Sequence, residues 1–411
     1  MTEYFDALET RDPAERQAAL FAELPALIAH AQANAPAYTR SFAGIDAATI
    51  NSPAALAALP VTRKSDLIEA QRAELPFAGL NATPVGRLRK LFSSPGPIYD
   101  AEGGAPDWWR FARALFAAGF RSGDLVHNCF SYHFTPAGSM IESGAHALGC
   151  AVFPGGIGQT EMQARTIADL RPAGYGGTPS FLKIIIDKGR ELGLDTSSLS
   201  KALVSGEYLS PALRQEFFDH GVAVRQCYAT ADLGLIAYES EAMAGLILDE
   251  KVIVEIVRPG TGDPVADGEV GEVVVTSFNM DYPLIRFATG DLSAILPGIS
   301  PCGRTNRRIK GWMGRADQTT KIKGMFVHPA QINDIVKRHA DISRARLVVE
   351  LVDGGDVMTL HAETTASGIE AAIADSLQSI TKLRGAVVLA APGSLPNDGK
   401  VIEDKRPAVT A

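Results

Sequence analysis

Between Arg87 and Val204 the chain alternates short apolar stretches with helical ones, and this alternation limits the possible folds more than any other feature. The candidate strands are Arg87 to Phe92, Leu125 to Cys129, Ala151 to Phe153, Ala173 to Tyr175 and Lys201 to Val204. Between them, Trp108 to Phe120, Ser139 to Leu148, Thr160 to Leu170 and Phe181 to Leu192 repeat their apolar residues at helical spacing. Strands separated by a helix run parallel, and a parallel sheet is covered on both faces. The expected core is therefore an α/β sheet with its ligands beyond the carboxyl ends of the strands. The loops at that edge then become the first candidates for a site.

The flanks read differently. Asp12-Pro13-Ala14-Glu15 combines a capping carboxylate, a first-turn proline and an early acid, and predicts a helix to about Ala33. Ser52-Pro53 starts a second, short helix, and the run from Leu59-Pro60 to Ser65-Asp66 leads into a third. After Ala231, strands joined by glycine turns predict a β-rich subdomain over about 245–300. Beyond Pro329 the order is helix (from Ala330), strand, turn at Asp353-Gly354-Gly355-Asp356, strand, helix, strand, which fits a compact α+β domain of ordinary size. The fold class expected is a large N-terminal α/β domain, 1–316, carrying the β-rich part, and a small mobile α+β domain, 317–411. The polar stretch between them, Gly314 to Pro329, carries two lysines, closes on glycine and proline, and reads as a joint between two folded bodies.

Composition excludes several function classes. The 411 residues are 46% hydrophobic and 21% charged, which describes an ordinary globular chain, and a net charge of −8 argues against a nucleic-acid partner. Met1-Thr2-Glu3-Tyr4 lacks the basic flank and apolar run of a signal peptide, and no apolar stretch is long enough to span a membrane, so cytoplasmic residence is expected. The four cysteines, Cys129, Cys150, Cys227 and Cys302, form no CxxC pair and are read as free thiols, with Cys302 the most exposed.

Five short motifs then fall in a telling order: Gly206-Glu207, Tyr228-Ala229-Thr230-Ala231-Asp232, Arg286-Phe287-Ala288-Thr289-Gly290-Asp291, Gly314-Arg315-Ala316-Asp317 and Gly399-Lys400. Together they resemble the core motifs of the AMP-forming acyl-adenylating enzymes. Pro154 to Glu161, Thr178-Pro179-Ser180 and Gly268 to Glu272 narrow the resemblance to the phenylacetate-coenzyme A ligase branch. It implies a two-step reaction: a carboxylate attacks the α-phosphate of ATP, releasing pyrophosphate, and coenzyme A then displaces AMP from the acyl-adenylate. Such chemistry depends on positioning and charge stabilisation. By the same resemblance, Asp291 accepts hydrogen bonds from the ribose, Arg286 and Arg315 contact the nucleotide, and Tyr228 stacks on adenine beside Glu207. Asp232 takes the place of a magnesium-binding Glu. Lys400 bridges acid and α-phosphate, and Asp317 is the pivot of a rotation that brings Lys321, Lys323 and Gly324 to coenzyme A. The acid pocket is expected between Tyr132, His133 and Phe134 and Gly155 and Gly156, floored by Ser205 and Gly206. A homodimer is what the resemblance suggests.

Two positions depart from the pattern. The phosphate loop reads Ser93-Ser94-Pro95-Gly96-Pro97: the serines and one glycine remain for the phosphates, but the lysine is gone and two prolines remove N–H donors. Ala231 replaces a phosphate-binding threonine, with Thr230 adjacent to supply the hydroxyl. These departures leave two alternatives open beside a coenzyme A ligase. One is an enzyme that passes its adenylate to a carrier protein or amine, and the other is a non-catalytic nucleotide- or acyl-binding module.

Overall fold

A computed structural model describes residues 3–94, 97–316, 318–323, 325–352, 355–396, 398 and 400–406. The expected Gly96, Asp317 and Gly324 lie outside the described residues. The chain divides into two compact units. The first comprises Met1–Val254, Val275–Thr289 and Ile295–Trp312, and the second Glu255–Val274, Gly290–Ala294 and Met313–Ala411.

The first unit is built on a nine-stranded sheet. Five parallel strands follow one another in the order Ala151–Pro154, Leu125–Asn128, Gly174–Gly177, Lys201–Val204 and Ala223–Thr230. Gly234–Glu239 then turns back antiparallel, and Leu246–Leu248, Arg308–Ile309 and Ile295–Leu296 complete the sheet. Helices Ala137–Ala147, Thr160–Leu170, Pro179–Glu191 and Pro211–Asp219 make the crossovers. The chain leaves Leu125–Asn128 toward one side and returns as Gly174–Gly177 on the other. The order of connection therefore reverses between these two parallel strands, the place where α/β sheets hold ligands beyond the carboxyl ends.

Most expected elements appear within a residue or two of their predicted ends, because caps and periodicity are local, whereas the helix expected over Trp108 to Phe120 is confined to Phe111–Ala117 and the strand expected from Arg87 begins at Lys90. Asp12 accepts hydrogen bonds from Ala14 and Glu15, with Pro13 opening the helix Pro13–Asn34. Ser52 caps Pro53–Ala57. The segment expected as a loop after Phe92 differs. Lys90–Ser94 pairs antiparallel with Ile98–Glu102, so Ser93 and Ser94 are strand residues opposite Tyr99 and Ile98. The strand Ile98–Glu102 escaped notice because Tyr99, Asp100 and Glu102 give it no apolar alternation.

The helix Phe111–Ala117 begins beside Asp107, whose carboxylate accepts the Ala112 N–H at 3.0 Å. Burial pushes the Asp107 carboxyl up to about 7, against the hydrogen bonds from Ala112 and Phe111. A carboxyl raised above its unfolded value of about 3.9 favours folding fully below that value and loses this contribution as pH rises through about 7. Asp107→Asn is therefore expected to stabilise the protein by about 1–2 kcal/mol at pH 8, the shift being discounted for partial exposure, and to gain nothing at pH 4. Urea midpoints at the two pH values check this.

The second unit has its own core of Ile322, Val327, Ile332, Leu347, Leu360 and Leu377 with their neighbours. Its four-stranded sheet runs Ala386–Ala390, Gly355–Thr364, Ile342–Val352 and Ile402–Asp404, with helices Pro329–Arg338 and Glu370–Thr381. The last strand was not expected. It pairs parallel with Ile342–Val352, Leu347 facing Ile402, and so fixes the chain immediately after Lys400.

Candidate active site

An apolar cavity of about 160 Å³ opens in the first unit at the carboxyl edge of the parallel strands, lined by Phe111, Phe130, Pro136, Ala137 and Met140. Ser94, Ser205, Gly206, Thr230 and Ala231 complete it on the polar side. Part of the wall continues the strands, with Phe130 following Leu125–Asn128, Ser205 and Gly206 following Lys201–Val204, and Thr230 ending Ala223–Thr230, and helices supply Phe111, Ala137 and Met140. Of the residues predicted for this site, Ser94, Ser205, Gly206 and Thr230 are brought together. Phe111 and Met140 were missed, since a buried helix residue carries no sign of which cavity it will face.

The hydroxyl groups are already directed. Ser205 Oγ donates to the Cys227 carbonyl at 2.9 Å, and Thr230 Oγ1 accepts the Leu233 N–H at 3.2 Å. Gly206 stands at φ +82°, a conformation that suits glycine. Tyr228 is buried, its hydroxyl donating to Thr289 Oγ1 at 3.1 Å. Ser93 is tied through its N–H to the Phe134 carbonyl at 2.8 Å, while Phe134 itself is 80% exposed. His133 and Glu207 are also exposed, with Glu207 accepting the Ser180 N–H at 3.3 Å. The Tyr132 hydroxyl accepts from Asn128 at 2.8 Å, and burial, together with Glu142, pushes its pKa far up.

Gly155 and Gly156 form a loop pinned by Gln163, a residue sequence reading passed over. Its amide donates to their carbonyls at 2.9 and 3.1 Å, and its oxygen lies 2.6 Å from His127 Nε2. A Cβ on Gly155 would come within 2.5 Å of that oxygen, so the loop depends on glycine there. Burial holds the His127 pKa below its usual value, against the contact with Gln163, and keeps the imidazole neutral.

Asp232 lies one residue beyond the cavity wall and is 3% exposed. Lys64 donates to its Oδ2 at 2.6 Å, while Oδ1 is buried without a partner. Asp100, from the hairpin strand, lies against it and is fully buried. Burial first, and the neighbouring Asp232 second, push the Asp100 carboxyl far up, against the pull of Lys64. A carboxylate oxygen without a hydrogen bond beside a second acid is a donor set of the kind that could hold a hard divalent cation such as magnesium.

Arg286 is 2% exposed, and its Nη1 donates to the Ala57 and Leu59 carbonyls, each at 2.6 Å. As placed, this guanidinium pins the helical start of the chain to the strand that follows it.

In the second unit, Asp291 and Arg315 form an ion pair at 2.8 Å. The backbone brings them together: Ala316 donates to the Gly290 carbonyl and Leu292 to that of Gly314. Gly290 is at φ +75°, and a Cβ there would stand 2.7 Å from Arg315 Nη2. Lys321, in the strand Thr320–Ile322 that pairs with Met325–Val327, and Lys323, just after that strand, are both exposed, with the Lys323 N–H held by Asp356 at 2.8 Å. Lys400 is exposed, its N–H donating to Asp398 Oδ1 at 3.1 Å, and borders a small cavity with Arg258, Glu269 and Arg344.

A family model described as AMP-binding enzyme matches residues 108–280. The chain is 32% identical to a phenylacetate-coenzyme A ligase of Escherichia coli, over 82% of this chain and 80% of that protein. It belongs to the phenylacetate-coenzyme A ligase-like branch of the AMP-forming acyl-adenylating enzymes. Identity to a phenylacetate-coenzyme A ligase of Thermus thermophilus is 29%, covering 96% of each chain. Among solved structures, an open conformation of 2-hydroxyisobutyryl-CoA ligase in complex with 2-HIB-AMP and CoA superposes with a TM-score of 0.73 at 25% identity, covering 96% of this chain and 92% of that one. The expected mixed α/β architecture with a β-rich part is the one this family has.

Proposed function

We propose that the protein is an AMP-forming carboxylic acid:coenzyme A ligase acting on a small, largely apolar acid, with magnesium as the metal that accompanies ATP. The observation that carries this reading is the 160 Å³ cavity, apolar on one side and lined by Ser94, Ser205 and Thr230 on the other. A cavity of about 150 Å³ lined by apolar side chains is large enough for benzene, so a phenyl-sized or smaller acid fits. The acid's hydrocarbon part would lie against Phe111, Phe130 and Met140, leaving its carboxylate at the hydroxyl-lined edge, where the α-phosphate is attacked. Ser94 and Thr230 orient that phosphate, and Asp232 holds the cation that neutralises the phosphate oxygens. Lys400 stabilises the charge that develops between acid and phosphate, and Asp291 binds the ribose. Residues 1–316 would bind ATP and acid, with 317–411 turning about Asp317 so that Lys321, Lys323 and Gly324 serve the coenzyme A step.

Acid-dependent pyrophosphate release across a panel of aromatic and short aliphatic acids tests the first step; its absence across the panel would leave the chain a binding module. Coenzyme A offered to the preformed adenylate, against a carrier protein or an amine, tests the acceptor. Ala137→Leu places extra bulk at the cavity wall and is expected to raise KM for the acid by about 10-fold while leaving KM for ATP unchanged. An equal rise in both would show that the cavity does not hold the acid.

A further inference from the structure

The hairpin Lys90–Glu102 presents a contradiction that points to its use. The sequence that joins its strands, Pro95-Gly96-Pro97, has no lysine and two residues without an N–H, so it offers phosphate oxygens little. Its returning strand, however, buries Asp100 completely, in a position where a purely structural hairpin would place an apolar side chain. Neither oxygen of Asp100 has a hydrogen bond of full geometry and Asp232 Oδ1 has none, although Ser94 and Asp232 each stand within hydrogen-bonding reach of Asp100. Lys64 is paired with Asp232 at 2.6 Å, and its charge also acts on Asp100. The Tyr282 hydroxyl, also buried and within reach of Gln71, feels the charge of both acids. Buried charge is retained where it is paired or coordinates a metal, and an unsatisfied buried oxygen marks something that the free protein lacks.

We propose that Asp100 is the second carboxylate of a divalent-cation site completed by Asp232, so that this hairpin grips the nucleotide's phosphates through the cation. Among the described residues no group of three or more acids, histidines or cysteines could hold a metal, so the remaining positions go to phosphate oxygens and water, as magnesium prefers. Lys64 keeps Asp232 in place and carries part of the charge until nucleotide and cation arrive. The proposal rests on the reading of the neighbouring cavity as the ATP site.

The test is Mn²⁺ binding to the full chain, read by the electron paramagnetic resonance of free and bound ion, with and without a non-hydrolysable ATP analogue. Asp100→Asn and Asp232→Asn are each expected to weaken Mn²⁺ binding in the analogue's presence by at least about 10-fold, and Asp100→Glu to recover part of the loss. Without metal, Asp100→Asn should melt no lower than the parent protein, since it removes an uncompensated acid. No Mn²⁺ binding by the parent protein, or loss on Asp232→Asn alone with Asp100→Asn unchanged, overturns the proposal and leaves the two acids a proton-sharing pair. Mn²⁺ held by both acids without acid-dependent pyrophosphate release would sink the ligase reading and leave the cation site standing.

Discussion

Lys400→Ala is expected to lower acid-dependent pyrophosphate release by about 10²- to 10³-fold, the usual loss when one positioned donor to developing charge is removed. The fold should hardly notice. Lys400 is exposed, and its recorded anchor is the backbone N–H to Asp398, which alanine keeps. The strand Ile402–Asp404 fixes the chain just beyond it, so the loss would be of charge rather than of order. Thioester formation from a preformed acyl-adenylate and coenzyme A should fall far less, since the charge Lys400 would meet arises in the first step. Measuring the two half-reactions separately decides the matter. An equal fall in both, or a lowered melting temperature, would remove Lys400 from the adenylation step.

Glu9→Ala is expected to destabilise the first unit by about 3–5 kcal/mol, the range for breaking a buried ion pair from one side. The Glu9 side chain is fully buried. It accepts from Arg304 Nε at 3.0 Å, Arg113 Nη1 at 3.1 Å and the Tyr238 hydroxyl at 3.1 Å. Removing the carboxylate leaves two guanidinium groups, 1% and 9% exposed, with less charge to answer them. Asp6 and Asp249 still face Arg113, at 2.7 and 3.7 Å, whereas the second acid on Arg304, Glu241, is half exposed at 3.4 Å. Arg304 should therefore account for most of the loss. Glu9→Gln, which keeps an acceptor oxygen, should cost less than alanine. Urea unfolding of the two variants checks both statements, and a loss below about 1 kcal/mol for alanine would show that the remaining acids suffice.

These two residues differ sharply in how visible they are along the chain. Lys400 stands out through its Gly-led motif near the end of the sequence, and its family position carries its role. Glu9 is an unremarked acid in an opening turn, and its partners at Arg113, Tyr238 and Arg304 have no spacing that could announce them. The same contrast runs through the site. Ser205, Gly206 and Thr230 were legible because they lie in or beside the family's motifs, and strand ends in an α/β sheet converge on one edge. Arg286 has equal weight in its motif, but nothing in its neighbouring sequence announces that its guanidinium donates to the Ala57 and Leu59 carbonyls. Gln163 is one polar residue of an amphipathic helix until the fold aims it at Gly155.

What belongs to the chain's local order was readable before any fold was known: the parallel core, the caps at Asp12 and Ser52, the β-rich stretch, the α+β tail and the family motifs. These follow from residues close in sequence, whose periodicity and turn chemistry act within a few positions. Folding alone decided that Ser93 and Ser94 belong to a paired strand, that Gly290 makes room for Arg315, and that Asp100 lies against Asp232 beside Lys64. Such meetings are set by sheet register and by the packing of distant segments, and nothing in the neighbouring sequence encodes them. The shortened phosphate segment joins the two kinds of knowledge. Its missing lysine is plain in the residues, and the buried acid behind it appears only when the hairpin closes.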